Sequence, residues 1–168
     1  MKNFFKNIFH KKSLTIKVPI DKELQFDQKM HNDNLKKSID DQIKVWRHTD
    51  LKLNDPATED LIKQTQEKIG YEFPNDFIKF YTQVNGFKDW DIIGEMFSIW
   101  PLERIAEEYE KCEDKNFIPF CDYCIDCHRI GYLKDQNGVY KDYDQTVNIA
   151  DRFDETIELI IEDSSLLY

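Results

Sequence analysis

The stretch DLIKQTQEKIGYEFPNDFIKFYTQVNGFKDWDIIGEMFSIWP, residues 60–101, predicts two amphipathic helices, then an aromatic and acidic loop, then a strand. Leu61, Thr65 and Ile69 recur at i, i+4 and i+8, with an apolar residue alongside, which is the spacing of one helical face. We therefore expect the first helix to bury this stripe against a core and to leave its polar side in water.

The ends of both helices carry recognisable signals. Asp55-Pro56 is expected to open the first helix, because Asp suits the cap position and Pro suits the first turn. Gly70 is expected to close it. Pro74 is expected to start the second helix and Asn85-Gly86 to end it, since both residues tolerate the left-handed conformation. The apolar positions of the second helix are Phe77, Ile78, Phe80, Tyr81 and Val84.

Three short segments of the chain form a pattern of their own. They are IGYEFPNDF at 69–77, followed by Phe80-Tyr81 and Asn85-Gly86, then WPLERI at 100–105 and FCDYCID at 120–126. These segments resemble the opening helical motif, a strand-then-helix step and a strand of the SUKH superfamily. This group includes the yeast Smi/Knr cell-wall regulator domain and many bacterial immunity proteins. The likeness covers residues 54–162.

The remaining elements predict the fold class. Strands are expected at Met96–Trp100, Phe117–Phe120, Tyr123–Tyr132 and Val139–Tyr143, with helices at Leu102–Tyr109 and from about Phe153 to Ile161. Asp135-Gln136-Asn137-Gly138 predicts a hairpin turn, because Asn-Gly supplies positive φ angles. Helices followed by hairpin-linked strands indicate an α+β fold with a mainly antiparallel sheet and helices packed against it, as the resemblance also implies.

The chain is expected to divide near Asn54. Residues 1–53 are interpreted as an N-terminal extension with a basic amphipathic start, a short strand at 13–20 and a helix over about 34–48. Residues 54–168 are interpreted as a SUKH-like globular domain. The basic start favours contact with an anionic membrane surface, docking on a partner, or packing on its own domain.

Charge is distributed unevenly along the chain. The formal net charge is −10, yet the first twenty residues carry five Lys and no acid. Residues 54–168 carry 11 basic and 26 acidic residues, a net charge of −15. A field of this sign repels nucleic acid and attracts basic proteins, so we expect no direct nucleic-acid binding. Acidic surfaces also keep proteins soluble, which is the plainer interpretation.

The cysteines raise the question of a metal site. Cys121, Cys124, Cys127 and His128 could offer three thiolates and an imidazole to zinc, and C-x-x-C-H is also a haem-attachment pattern. Along one strand, however, Cys121 and Cys127 would face one side and the other two the opposite side. We therefore expect no metal and no cofactor, and reduced thiols in a core strand. Without an export signal or a membrane-spanning apolar run, the expected location is the cytoplasm.

Catalysis is not indicated by any motif. The sequence contains no Gly-rich phosphate loop, no G-x-S-x-G elbow and no H-E-x-x-H pair. A Cys/His nucleophile pair involving His128 stays open, but nothing in the pattern marks it. We therefore expect a protein that is not an enzyme.

Binding is the function that the sequence favours. Trp90 lies among acids in Lys88–Glu95, as an aromatic anchor would. The competing interpretation is that Trp90 is half-buried core and that the acids are solvated. A further acidic run covers Glu103, Glu107, Glu108, Glu110, Glu113 and Asp114. The predicted partner-binding residues are Asp89, Trp90, Asp91, Glu95, Asp142 and Asp144.

The resemblance implies an immunity protein that binds and neutralises a cognate bacterial polymorphic toxin. Because residues 54–168 are strongly acidic, we expect a basic toxin such as a nuclease, with its active site occluded. The alternative is a non-catalytic regulatory scaffold like the yeast Smi/Knr relative. A zinc- or thiol-dependent protein centred on residues 121–128 is a third hypothesis.

Overall fold

The computed structural model describes residues 39–94 and 96–168, and this part of the chain contains five α-helices and a five-stranded sheet. The α+β fold predicted from the sequence is confirmed. The expected features of residues 1–38 lie outside the described residues. The elements are α1 (39–47), α2 (Glu59–Ile69), α3 (Asn75–Tyr81), β1 (Phe97–Ile99), α4 (Leu102–Lys111), β2 (Phe117–Tyr123), β3 (His128–Leu133), β4 (Gln136–Asp142), β5 (Thr146–Ala150), α5 (Phe153–Ile161) and a 3-10 turn (Ser165–Leu167).

The helix ends differ in part from those expected. Asp55-Pro56 does not open α2, because residues 55–58 are not helical and the Oγ1 atom of Thr58 accepts the N–H of Leu61 at 3.1 Å. Gly70 does close α2, in the left-handed conformation. The second helix begins after Pro74 as predicted but ends at Tyr81, so Asn85 is not its terminus.

Asn85 instead joins the segment after α3 to the start of α4. Its Oδ1 atom accepts the N–H of Leu102 at 2.9 Å, and its Nδ2 atom donates to Glu103 at 2.9 Å. The hydroxyl of Tyr81 donates to the carbonyl of Trp100 at 2.7 Å. A side chain from a distant segment therefore supplies the cap that α4 does not find locally, since Pro101 offers none.

The strands pair in chain order, β1-β2-β3-β4-β5, and each pair is antiparallel. The single strand predicted over Tyr123–Tyr132 is wrong, because a turn over residues 124–127 divides it. Cys124, Ile125 and Asp126 all have positive φ there, and their residue types gave no reason to predict this conformation. Strand β5 was not predicted.

The β3–β4 hairpin is present, with its turn two residues earlier than expected. Leu133 pairs with Gln136, so the turn residues are Lys134 and Asp135. Gly138 lies inside β4 with φ of 103°, where the register between the two strands shifts. The positive φ of Gly138 therefore allows the register shift between β3 and β4 and does not form the turn.

The core is rich in aromatic rings between the helices and the sheet. Phe77 of α3 is fully buried, with Phe73 and Tyr81 stacked on it at 4.2 Å and Phe153 of α5 meeting it edge-on at 5.1 Å. Such ring pairs add about 1 kcal/mol each beyond the area they bury. Helix α1 joins the same core through Ile39, Ile43 and Trp46, which recur at i, i+4 and i+7 on one helical face.

Gly86 sets how closely two backbone segments approach. A Cβ atom at this position would lie 2.5 Å from the carbonyl carbon and oxygen of Trp100, and φ of Gly86 is 65°. Gly86→Ala is therefore expected to lower the free energy of unfolding by about 2–4 kcal/mol in urea denaturation. Gly94→Ala, where a Cβ meets open space, is the control and should change it by less than about 0.5 kcal/mol. Equal effects would contradict the close approach.

His128 is buried among aromatic rings, stacked on Tyr123 at 5.0 Å and near Phe97 and Tyr143. Burial lowers the pKa of His128, and the charge of Lys141 acts in the same direction. The unfolded chain therefore binds this proton more readily, so stability rises with pH from the folded pKa up to about 6.5. We expect His128→Phe to flatten this rise in urea denaturation between about pH 5 and about pH 7. An unchanged slope would contradict the assignment.

Candidate protein-binding site

Trp90 stands at the surface with one side held by Arg104. Its side chain is 62% exposed, the greatest exposure of any described tryptophan. The guanidinium carbon of Arg104 lies 3.5 Å from the centroid of the Trp90 ring and 3.9 Å from that of Trp100, which is fully buried. Each such cation–π contact contributes about 1 kcal/mol. The exposed indole is therefore fixed in place through a chain of contacts that ends in the core.

Asp122 contacts both Trp100 and Arg104 of this stack. It is buried, it accepts the indole N–H of Trp100 and, at 2.8 Å, the backbone N–H of Asp126, and it lies 3.4 Å from Arg104. Burial lowers the pKa of Arg104, and the charge of Asp122 opposes that shift. A guanidinium stays protonated under these conditions, so Asp122 balances a charge that Trp90 and Trp100 shield from water.

The loop that carries Trp90 is pinned to its neighbours. Asp89 and Trp90 have φ of 54° and 62°, the left-handed region that non-glycine residues seldom adopt. The carboxylate of Asp91 accepts the backbone N–H of Lys52 at 2.7 Å and that of Ile92 at 3.1 Å. Ser98 donates to the carbonyl of Asp91 at 2.9 Å. The loop is thereby organised before any partner arrives, and Asp91 contributes chiefly by holding its shape.

A cleft of about 420 Å³, here called the Trp90 cleft, lies between this loop and α4. It brings the predicted residues Asp89 and Trp90 together with part of the acidic run of α4. Lys111 also lines it and pairs with Glu108 at 2.7 Å. The cleft therefore combines an aromatic surface with carboxylates. Its charged and aromatic lining comprises Phe87, Lys88, Asp89, Trp90, Glu103, Arg104, Glu107, Glu108 and Lys111.

The other predicted residues have separate positions. Asp142 ends β4 and accepts the hydroxyl of Thr146 at 2.9 Å, and Asp144 is exposed in the following turn. Neither lines the Trp90 cleft. Glu95 lies outside the described residues. The interpretation of Trp90 as half-buried core is wrong, because its side chain is exposed. The assignment of the six residues to a partner stays a prediction.

The residues that sequence reasoning missed are Arg104 and three members of a cross-strand ladder beside it, whose fourth member, Asp142, is one of the predicted residues. Ser98, Asp122, Arg129 and Asp142 are successive partners across β1 to β4, so their side chains share one face of the sheet. Arg129 pairs with Asp126 at 2.5 Å, and this hydrogen bond lowers the pKa of the Asp126 carboxyl. The sequence signal that could have revealed this site is Arg104, a basic residue in the helix Leu102–Lys111 close to its buried apolar residues.

The cysteines are dispersed by the turn. Cys121 is buried, Cys124 is partly buried and Cys127 is exposed, with its thiol donating to the Cys124 carbonyl at 3.1 Å. The expectation of buried thiols along one core strand therefore holds only for Cys121, whose pKa burial raises well above its usual value. The argument against zinc assumed that residues 121–128 form one strand with alternating side chains, and this assumption is wrong. Over residues 39–94 and 96–168, no three His, Cys, Asp or Glu residues are grouped to hold a metal ion.

A family model described as the SMI1 / KNR4 family (SUKH-1) matches residues 56–159. The chain belongs to this family. The SUKH superfamily resemblance seen in the motifs is thereby confirmed, and the matched region contains Trp90, Trp100, Arg104 and Asp122. No curated protein matches the chain. In the part of this SUKH-1 protein that the structure describes, no helix is both long and apolar enough to cross a membrane.

The charge of Asp122 is expected to hold Arg104 between the two indoles. Asp122→Asn should lower the free energy of unfolding by about 3 kcal/mol, because a shielded guanidinium would lose its counter-charge. Tryptophan fluorescence should change with it as Trp90 leaves the stack. Asp144→Asn, the same change at an exposed carboxylate, is the control and should leave both properties as they are. Matching results for the two variants would contradict this role of Asp122.

Proposed function

We propose that this SUKH-1 protein is an immunity protein that binds a cognate bacterial polymorphic toxin in the cytoplasm and neutralises it without catalysis. The observation that carries the proposal is the exposed indole of Trp90, fixed by Arg104 at the rim of a cleft. Membership in a family that includes toxin-immunity proteins supplies the biological setting.

The geometry of Trp90 suits a binding anchor. An exposed tryptophan offers about 200 Å² of surface to a partner and has only two side-chain torsions to fix. Here Arg104 already holds the ring, and Asp91 already holds the loop. Little conformational entropy is then lost on binding, so more of the contact energy appears as affinity.

The charge of the domain supports a basic partner. Residues 54–168 carry a net charge of −15, which accelerates association with a positively charged surface. A nuclease needs such a surface to hold phosphates. In the proposed mechanism the carboxylates around the Trp90 cleft, such as Glu107, face that groove and exclude its substrate.

A regulatory scaffold of the Smi/Knr type is the second candidate. The observation that favours it is the description of the matched family, which names SMI1 and KNR4. It would use the same exposed indole to bind a signalling protein instead of a toxin. The two functions differ in whether the bound partner is harmful alone, and a growth assay separates them.

The assay expresses the product of the neighbouring gene from a tightly controlled promoter, with or without this chain. We expect that product to arrest growth alone and growth to resume when both are made. A neighbour that is harmless, or that kills in the presence of this chain, would contradict the pairing and favour the scaffold.

Trp90→Ala is expected to weaken toxin binding about 30-fold or more, equivalent to roughly 2 kcal/mol, as measured by calorimetry. Trp90→Phe, which keeps a ring over Arg104, should lose less. Tyr143→Ala removes an equally exposed aromatic ring that does not line the Trp90 cleft and should bind like the parent chain. If the Tyr143 variant loses as much affinity as the Trp90 variant, the cleft is not the binding site.

A further inference from the structure

A second groove runs along the other side of the Trp90 loop. It has a volume of about 400 Å³ and lies between the C-terminal half of α1 and residues 91–94. Val45 of α1 is 53% exposed on its wall, and Leu51, Ile92 and Ile93 add partly buried apolar surface. We call it the α1 groove.

The charges of the α1 groove have one sign. Its charged lining residues are Asp50 and Asp91, and no Lys or Arg is among the described residues that line it. The carboxylate of Asp91 already accepts two backbone N–H groups, whereas Asp50 is exposed. An apolar wall with a carboxylate at its edge is complementary to an apolar side chain next to a cationic one.

The α1 groove and the Trp90 cleft are neighbours, separated by the loop 88–94 and by the segment 49–54. The segment 49–54 runs beside the loop, with the N–H of Lys88 donating to the carbonyl of Lys52 at 2.8 Å and Leu53 bridging to Phe87. Leu51 of that segment lines the groove and Asn54 lines the cleft. A partner that covers Trp90 and extends across this segment can therefore contact the groove as well.

We propose that the α1 groove is the second half of the partner-binding surface and receives a basic amphipathic segment of the protein that covers Trp90. This inference rests on the proposed function and extends it to residues outside the family match, which begins at residue 56. Helix α1 then supplies one wall of the binding surface from outside the matched domain. Differences in this helix would select among toxins without changing the SUKH-1 domain.

The test compares Val45→Lys with Val147→Lys, measured by calorimetry against the toxin from the growth assay. Val147 is a matched control, since it is 48% exposed and lies on β5, outside both the groove and the cleft. Val45→Lys should weaken binding about tenfold, because it removes apolar contact and repels a basic segment. Val147→Lys should weaken it by less than about twofold.

The outcomes separate this inference from the proposed function. If Trp90→Ala weakens binding and Val45→Lys matches its control, the toxin binds and the α1 groove inference is wrong. If the neighbouring product does not bind, the probe becomes a short synthetic peptide of alternating leucine and arginine, with a leucine and glutamate peptide as control. Saturable binding of the basic peptide that Val45→Lys weakens supports the groove, and its absence overturns the inference.

Discussion

The close contact between Gly86 and the backbone of Trp100 leaves no room for a side chain. It brings the segment after α3 against the junction of β1 and α4, where Asn85 caps Leu102 and the hydroxyl of Tyr81 meets the Trp100 carbonyl. Only a residue without a Cβ atom permits this approach. The segment after α3 is thereby held against the junction of β1 and α4, beside the aromatic core that the helices share with the sheet.

Trp100 lies at that junction and also beneath the candidate site. Its ring is buried in the core, Arg104 covers it, and Trp90 covers Arg104 in turn. The position of the exposed indole thus follows from the packing of the domain rather than from the loop alone. Placing a binding side chain on a rigid support is the usual way to limit the entropy lost on association.

The spacing of apolar residues and the helix-ending residues predicted those helices whose limits are set by their own sequence. The apolar stripes of α2 and α3 and the end of α2 at Gly70 follow from spacing and residue type. The exposure of Trp90 does not, because the sequence is equally consistent with a half-buried tryptophan. The β2–β3 turn could not, because Cys124 and its neighbours adopt left-handed angles without glycine. The roles of Asn85 and Asp91 depend on hydrogen bonds to segments distant in sequence, and no spacing rule shows such partners.

Amide hydrogen exchange on this chain, free and mixed with the proposed toxin, tests most directly whether the Trp90 cleft is the binding site. We predict added protection in the loop 88–94 and in α4, with the turn 143–145 exchanging as in the free chain. Protection confined to β5 and the turn 143–145, with the Trp90 loop unaffected, would contradict it. That result would place the partner on the opposite edge of the sheet and leave the fixed indole without the role proposed for it.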